Sequence, residues 1–96
     1  VVGGKGVSPE QLDLALEAVV LTVNGATVAT ATGAAVQGHP AEALALAANS
    51  LAERGMFIDA GEIVLTGGLT DAVPVSEGDQ ISAEFTNLGS LYVTGA

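Results

Sequence analysis

LALEAVVLTVNGATVATAT, residues 14–32, decides how the rest of the chain is read. Asn24-Gly25 stands between two runs of β-type residues. A two-residue type I′ turn needs positive φ at both central positions, and Asn-Gly supplies it most readily, so the stretch is predicted to be a β-hairpin. The turn pairs Val23 with Ala26 and Leu21 with Val28. In the second arm Val28, Thr30 and Thr32 share one face, and Thr27, Ala29 and Ala31 share the other. Neither face is charged, so the hairpin is expected to be covered on both sides. That is more burial than 96 residues readily supply.

Downstream, GAAVQGHP (33–40) is a connector into a helix predicted from Pro40 to Arg54. Pro40 suits the first helical position, and Glu42 lies three residues after His39, where a carboxylate reaches back to the orphan amides. Leu44, Ala47, Ala48 and Leu51 make an apolar stripe at helical spacing, Leu46 lies off it, and Gly55 stops the helix. Phe57–Ala60 reads as a short extended stretch turned by Ala60-Gly61. Ile63–Thr66 reads as a strand, Asp71–Gly78 as a loop around Pro74. QISAEF alternates, with Ile81, Ala83 and Phe85 on one face, as a half-buried strand does. Asn87-Leu88-Gly89-Ser90 then turns the chain into a terminal strand, LYVT.

Upstream, Ser8-Pro9-Glu10-Gln11 has the composition of a single capped helical turn. Val1-Val2, closed by Gly3-Gly4, reads as the end of a strand that starts without Met. The expectation is a piece of a longer polypeptide, or one segment of a cut one. The sum is an α+β chain: a mixed, mostly antiparallel sheet with one main helix. Residues 1–96 are read as a single domain or as the C-terminal fragment of a larger one.

Composition narrows the function. Eleven acids against Lys5 and Arg54 give a net charge of −9. No basic patch exists to neutralise phosphates, so nucleic acid is excluded as a partner, and an anionic membrane surface is disfavoured for the same reason. No apolar run approaches the roughly 20 residues that span a bilayer. There is no cysteine, hence no disulfide framework and no thiolate metal site. A cytoplasmic location fits.

Few residues carry chemistry. His39, before a proline at a helix start, is read as an N-cap-region residue over a ligand or base. No G-x-S-x-G is present. Asp59 and Glu62, and Glu77 and Asp79, flank turns and read as solvated acids, so no metal site is assigned within the chain. VVGGKG lacks the helix that a phosphate loop needs. There remains Thr66-Gly67-Gly68, where an apolar strand ends in a hydroxyl and two bare backbone units. It reads either as a tight bend or bulge, or as a small-anion or carboxylate cradle built from the Thr66 hydroxyl and backbone N–H groups.

Asn24-Gly25, Gly33-Ala34-Ala35, Gly38-His39-Pro40, Asn49, Gly61-Glu62-Ile63, Thr66-Gly67, Gly78-Asp79 and Leu88-Gly89-Ser90 together form a spaced pattern. From about Leu14 to the end it resembles the C-terminal half of the 2-oxopent-4-enoate hydratase / 4-oxalocrotonate decarboxylase family, within the fumarylacetoacetate-hydrolase-like superfamily. The resemblance implies a β-sheet roll and a metal-dependent lyase of aromatic meta-cleavage catabolism. A hydratase adds water to 2-hydroxypenta-2,4-dienoate; a decarboxylase removes CO₂ from an oxohexenedioate. It further implies a small 2-oxo or 2-hydroxy dienoic acid as substrate, Mg²⁺ or Mn²⁺ held by acids upstream of this stretch, and a homo-oligomer. Thr66, Gly67 and Gly68 would line the substrate carboxylate site. The chain alone is then expected to be inactive, its partner being the missing N-terminal segment or other subunits. Leu46 stands where the family pattern has Trp, Gly68 where it has a small hydroxyl residue, and one glycine of the T-G-A-G-A-A stretch is changed. A catalytically silent structural or oligomerisation relative is the alternative.

Overall fold

A computed structural model describes residues Val1–Ala96. Strands β1 (Ala18–Val23), β2 (Ala26–Thr32), β3 (Gln80–Phe85) and β4 (Gly89–Thr94) form one sheet in the order β2-β1-β3-β4, every pairing antiparallel. Helix α1 (Pro40–Glu53) completes the α+β architecture. Single 3₁₀ turns stand at Pro9–Gln11 and Gly33–Ala35.

The β1–β2 turn is the expected one: Asn24 and Gly25 have φ of +51° and +82°, the left-handed values a type I′ turn requires. Val23 faces Ala26, but Leu21 faces Ala29 rather than Val28. The register shifts between Leu21 and Thr22, so Val28 is an extra residue in a β-bulge. A bulge exchanges the faces beyond it. Thr27 therefore sits opposite Thr22, on the face of Thr30 and Thr32, and not with Ala29 and Ala31 as simple alternation predicts.

The sheet consequently sorts cleanly. Directly opposed residues share a face. Ala29 and Ala31, Val19, Leu21 and Val23, Phe85, Ala83 and Ile81, then Leu91 and Val93 line one side. Thr30, Val20 and Thr22, Glu84 and Ser82, then Ser90 and Tyr92 line the other. On that second side the Thr22 and Ser82 hydroxyls share a hydrogen bond of 2.5 Å. Two-sided cover of the hairpin is not observed: Val28 is 46% exposed, and Glu84 makes the second face a polar one.

Helix α1 begins as its sequence dictates. His39 is the N-cap, its Nδ1 accepting the Ala41 N–H at 3.0 Å, and Glu42 lies in the first turn. Gly55, at φ +72°, follows the Arg54 C-cap. No helix residue is buried, and Leu44 and Leu46 remain 40% and 55% exposed.

Two strand expectations are not met. Val1 and Val2 belong to no strand and are largely exposed. Ile63–Thr66 is unpaired chain that joins no sheet. The apolar character of both was read correctly, but a strand also needs a hydrogen-bonded neighbour, and none is present beside them.

The core is small. Val19 and Val36, each 5% exposed, are its only buried apolar side chains. A compact protein of this mass exposes roughly 5,000 Å², whereas this chain exposes 6755 Å². Its radius of gyration is 15.1 Å, against roughly 12.5 Å for a compact chain of the same length. Apolar surface that ordinarily lies inside a domain is here on the outside.

Candidate functional site

The Thr66-Gly67-Gly68 step lies between two concavities. Thr66 and Gly67 line a cavity of about 200 Å³, together with Leu14, Val36, Leu69, Phe85, Leu88 and the carboxylate-bearing Glu17. Gly68 lines a larger, open groove of about 920 Å³ between the β1–β2 hairpin and residues 69–74. The three residues named from sequence are thus brought to one ridge, with two on one side and one on the other.

Backbone geometry keeps this ridge bare. Gly67 has φ of +124°, a conformation side-chain-bearing residues avoid, and open space surrounds the position its Cβ would take. No N–H from residue 63 to residue 75 donates to a backbone carbonyl. The amides of Thr66, Gly67 and Gly68 are therefore donors not spent on secondary structure. Backbone donors at such a bend have the chemistry to hold an anion.

Glu17 was not singled out from sequence. The residue is buried, at 5% relative exposure. The Asn87 N–H donates to Oε1, and the Asn87 Nδ2–H donates to Oε2 at 3.1 Å. The placement is local in origin. Asp13 turns the chain ahead of β1, its carbonyl accepting the N–H groups of Leu16 and Glu17. The Glu17 carbonyl then accepts the Gly33 N–H at 2.9 Å. A charge in the middle of the apolar run LALEAVV was the available signal.

Buried charges ordinarily have a cation for company, but both donors to Glu17, one backbone N–H and one side-chain amide, are neutral groups of Asn87. Glu17 thus places a carboxyl group on the lining that Thr66 and Gly67 share. His39 is engaged as the helix cap. No group of three or more His, Asp or Glu side chains is gathered where it could hold a metal ion. No helix is long and apolar enough to cross a membrane.

Residues 1–94 match the family described as fumarylacetoacetate (FAA) hydrolase, C-terminal. The chain is 46% identical over 91 residues to the 4-oxalocrotonate decarboxylase of Pseudomonas sp. strain CF600, covering 95% of this chain and 34% of that protein. It is 40% identical over 93 residues to the 2-hydroxyhexa-2,4-dienoate hydratase of Comamonas testosteroni, covering 97% and 35% respectively. The fold superposes on 4-oxalocrotonate decarboxylase from Pseudomonas putida G7 with a TM-score of 0.91 at 46% identity, over 98% of this chain and 36% of that one. That enzyme is seen in complex with calcium and acetate and in complex with magnesium and adipate. The chain spans about a third of the length of the relatives it matches.

Proposed function

Because the chain belongs to the fumarylacetoacetate hydrolase family, we propose that it is the C-terminal part of a metal-dependent lyase acting on a small 2-oxo or 2-hydroxy dienoic acid. The reactions are hydration of 2-hydroxypenta-2,4-dienoate or decarboxylation of an oxohexenedioate, in cytoplasmic aromatic catabolism. The decarboxylase reading draws support from the 46% identity to two such enzymes, against 40% to a hydratase.

One observation carries the proposal: the unspent amides of Thr66, Gly67 and Gly68 beside a glycine with no side chain over it. In this reading they hold the substrate carboxylate and fix its orientation, which is worth most when the donors are preorganised. Phe85, Leu88 and Leu14 supply the apolar wall of the cavity. The carboxylates of this chain do not fit a divalent-cation site: they are not clustered, and Glu17 is occupied by Asn87. The Mg²⁺ or Mn²⁺ of the complete enzyme is held by acids outside this stretch. A homo-oligomeric assembly belongs to the same proposal.

The test is turnover. The 96-residue chain with Mg²⁺ is expected to leave 2-hydroxypenta-2,4-dienoate untouched, and activity is expected when the preceding two thirds of a family member is supplied. Turnover by the chain alone would overturn this division of labour. A catalytically silent relative is favoured instead if the completed protein folds and remains inert to both substrate types; the large uncovered apolar surface is the observation that recommends that reading.

A further inference from the structure

We propose that Asn24 is a deamidation site held shut by Asp79. Loss of the Asn24–Asp79 hydrogen bond releases the side-chain amide to the Gly25 nitrogen, and the acidic residue that results pushes the hairpin turn away from β3. Asn24-Gly25 is the one Asn-Gly step in the chain, since Asn49 precedes Ser50 and Asn87 precedes Leu88. Glycine brings no side chain to screen its nitrogen, and a Cβ at Gly25 would meet nothing within 4 Å. The Gly25 N–H donates to no backbone carbonyl. The nucleophile is therefore free, and both residues are exposed. In the reaction the Gly25 nitrogen gives its proton to solvent and bonds to Asn24 Cγ. The Cγ–Nδ2 bond breaks, and ammonia leaves with a proton returned from solvent. Water then opens the five-membered ring. Attack at Cγ gives aspartate; attack at the backbone carbonyl carbon gives isoaspartate, whose main chain runs through the side-chain carbons.

What the fold restrains is the electrophile. Asn24 Nδ2–H donates to Asp79 Oδ1 at 2.8 Å, and Asn24 Oδ1 accepts the Gln80 N–H at 2.9 Å. An N–H needs an acceptor and a carboxylate needs a donor, so the two partners fix which way the amide points. Both lie at the start of β3, and the side chain is thereby held toward that strand. Cyclisation requires Cγ to swing onto the following nitrogen, a near-attack arrangement this clasp forbids. Asp79 is itself anchored, its Oδ2 accepting the Ser76 N–H at 2.8 Å.

The product cannot rebuild the clasp. A carboxylate at position 24 has no Nδ2–H to offer, and it faces the Asp79 carboxylate across the same short gap, where like charges oppose one another. Isoaspartate also lengthens the main chain inside a turn that depends on φ of +51° and +82° at its two central residues. The Asn24 N–H that reaches the Gln80 carbonyl at 2.8 Å, and the adjoining Val23–Ile81 pairing, are the bonds placed under load.

The site stands apart from the proposed function and does not rest on it. The experiment follows amide loss at each asparagine by peptide mass spectrometry, on the 96-residue chain at mildly alkaline pH. In urea Asn24 reacts fastest of the three asparagines. In the folded chain it slows, because reaction then waits for the turn to open. Asp79→Ala speeds it by about fivefold or more, the factor one ordinary hydrogen bond is worth. Equal rates at Asn24 in the folded and unfolded chain overturn the proposal, and so does an unchanged rate in a folded Asp79→Ala variant. The consequence is read from urea midpoints at neutral pH. Asn24→Asp is expected to lower the midpoint. Asn24→Asp combined with Asp79→Asn is expected to recover most of the loss, because the amide then donates from the other side while its carbonyl oxygen keeps the Ser76 N–H. If Asp79→Ala does not fold, this exchange of groups decides: a midpoint unmoved by Asn24→Asp, or one the double variant fails to recover, overturns the coupling to Asp79.

Discussion

Glu17 and Asn87, seventy residues apart in sequence, are joined by two hydrogen bonds from one asparagine to one buried carboxylate. The first fixes the backbone of the β3–β4 turn and the second fixes the asparagine side chain. Leu88, next in the turn, is thereby held as a wall of the cavity that Thr66 and Gly67 line. Hydrogen bonds to charged groups contribute roughly 1.5–3 kcal/mol each. Asn87→Ala removes the side-chain donor, leaves the backbone one, and is expected to destabilise by about 2 kcal/mol in urea unfolding. Glu17→Ala removes both bonds and is expected to cost at least as much, and the double variant less than the sum, because the Nδ2–H bond is lost in either single variant. Strict additivity would show that the pair is not coupled.

Gly33 is the tightest point in the chain. A Cβ there would lie 1.7 Å from the Leu14 carbonyl oxygen, an overlap only backbone movement relieves. Gly33→Ala is expected to cost about 3 kcal/mol or more and to loosen the Glu17 segment with it. Gly4→Ala, where the added carbon meets nothing within 4 Å, serves as the control and is expected to be neutral. Equal midpoints for the two would contradict the close approach.

Acid should weaken the clasp between the hairpin turn and β3. Asp79 accepts the Ser76 N–H and the Asn24 Nδ2–H, each at 2.8 Å, and these bonds, Ser76 first, hold its carboxyl below the ordinary 3.8. A depressed carboxyl pKa stabilises the fold above the unfolded-state value. That contribution is lost as pH falls through the folded-state one. The melting temperatures of the wild type and Asp79→Asn are therefore expected to differ at pH 6 and to converge as the pH drops below about 4. A gap that persists at low pH would rule the clasp out as its source.

The helix cap gives a separate handle. His39→Ala removes the acceptor for the Ala41 N–H and is expected to lower stability by about 1 kcal/mol, while His39→Asp, a good N-cap, is expected to restore it. Circular dichroism during thermal unfolding reads both.

Much of the fold was legible because the signals were local. Asn24-Gly25 announced its turn, Pro40 and Gly55 bracketed the helix, and QISAEF alternated as a one-sided strand. What escaped depended on neighbours distant in sequence. The Val28 bulge is a registration choice between two strands, and no feature of ATVATAT demands it. Glu17 looked like a charge interrupting an apolar run; its burial is explained by Asn87, seventy residues on. Ile63–Thr66 has the composition of a strand, yet no neighbouring strand is present to pair it, and it is unpaired chain. At the candidate site, the bare Thr66–Gly68 ridge was legible from its glycines. Its division between two concavities was not, since that depends on where β3 and the hairpin flank it.

The proposed function requires that the amides of Thr66, Gly67 and Gly68 be free to receive a carboxylate. The most direct measurement is a crystal structure, with Mg²⁺ and adipate, of a chimera in which this chain replaces the matched third of the Pseudomonas putida G7 decarboxylase. The expected result is a carboxylate oxygen within about 2.7–3.2 Å of at least one of those nitrogens. Finding all three amides bonded to a neighbouring strand, with side chains packed over Gly67 and adipate elsewhere, would contradict it.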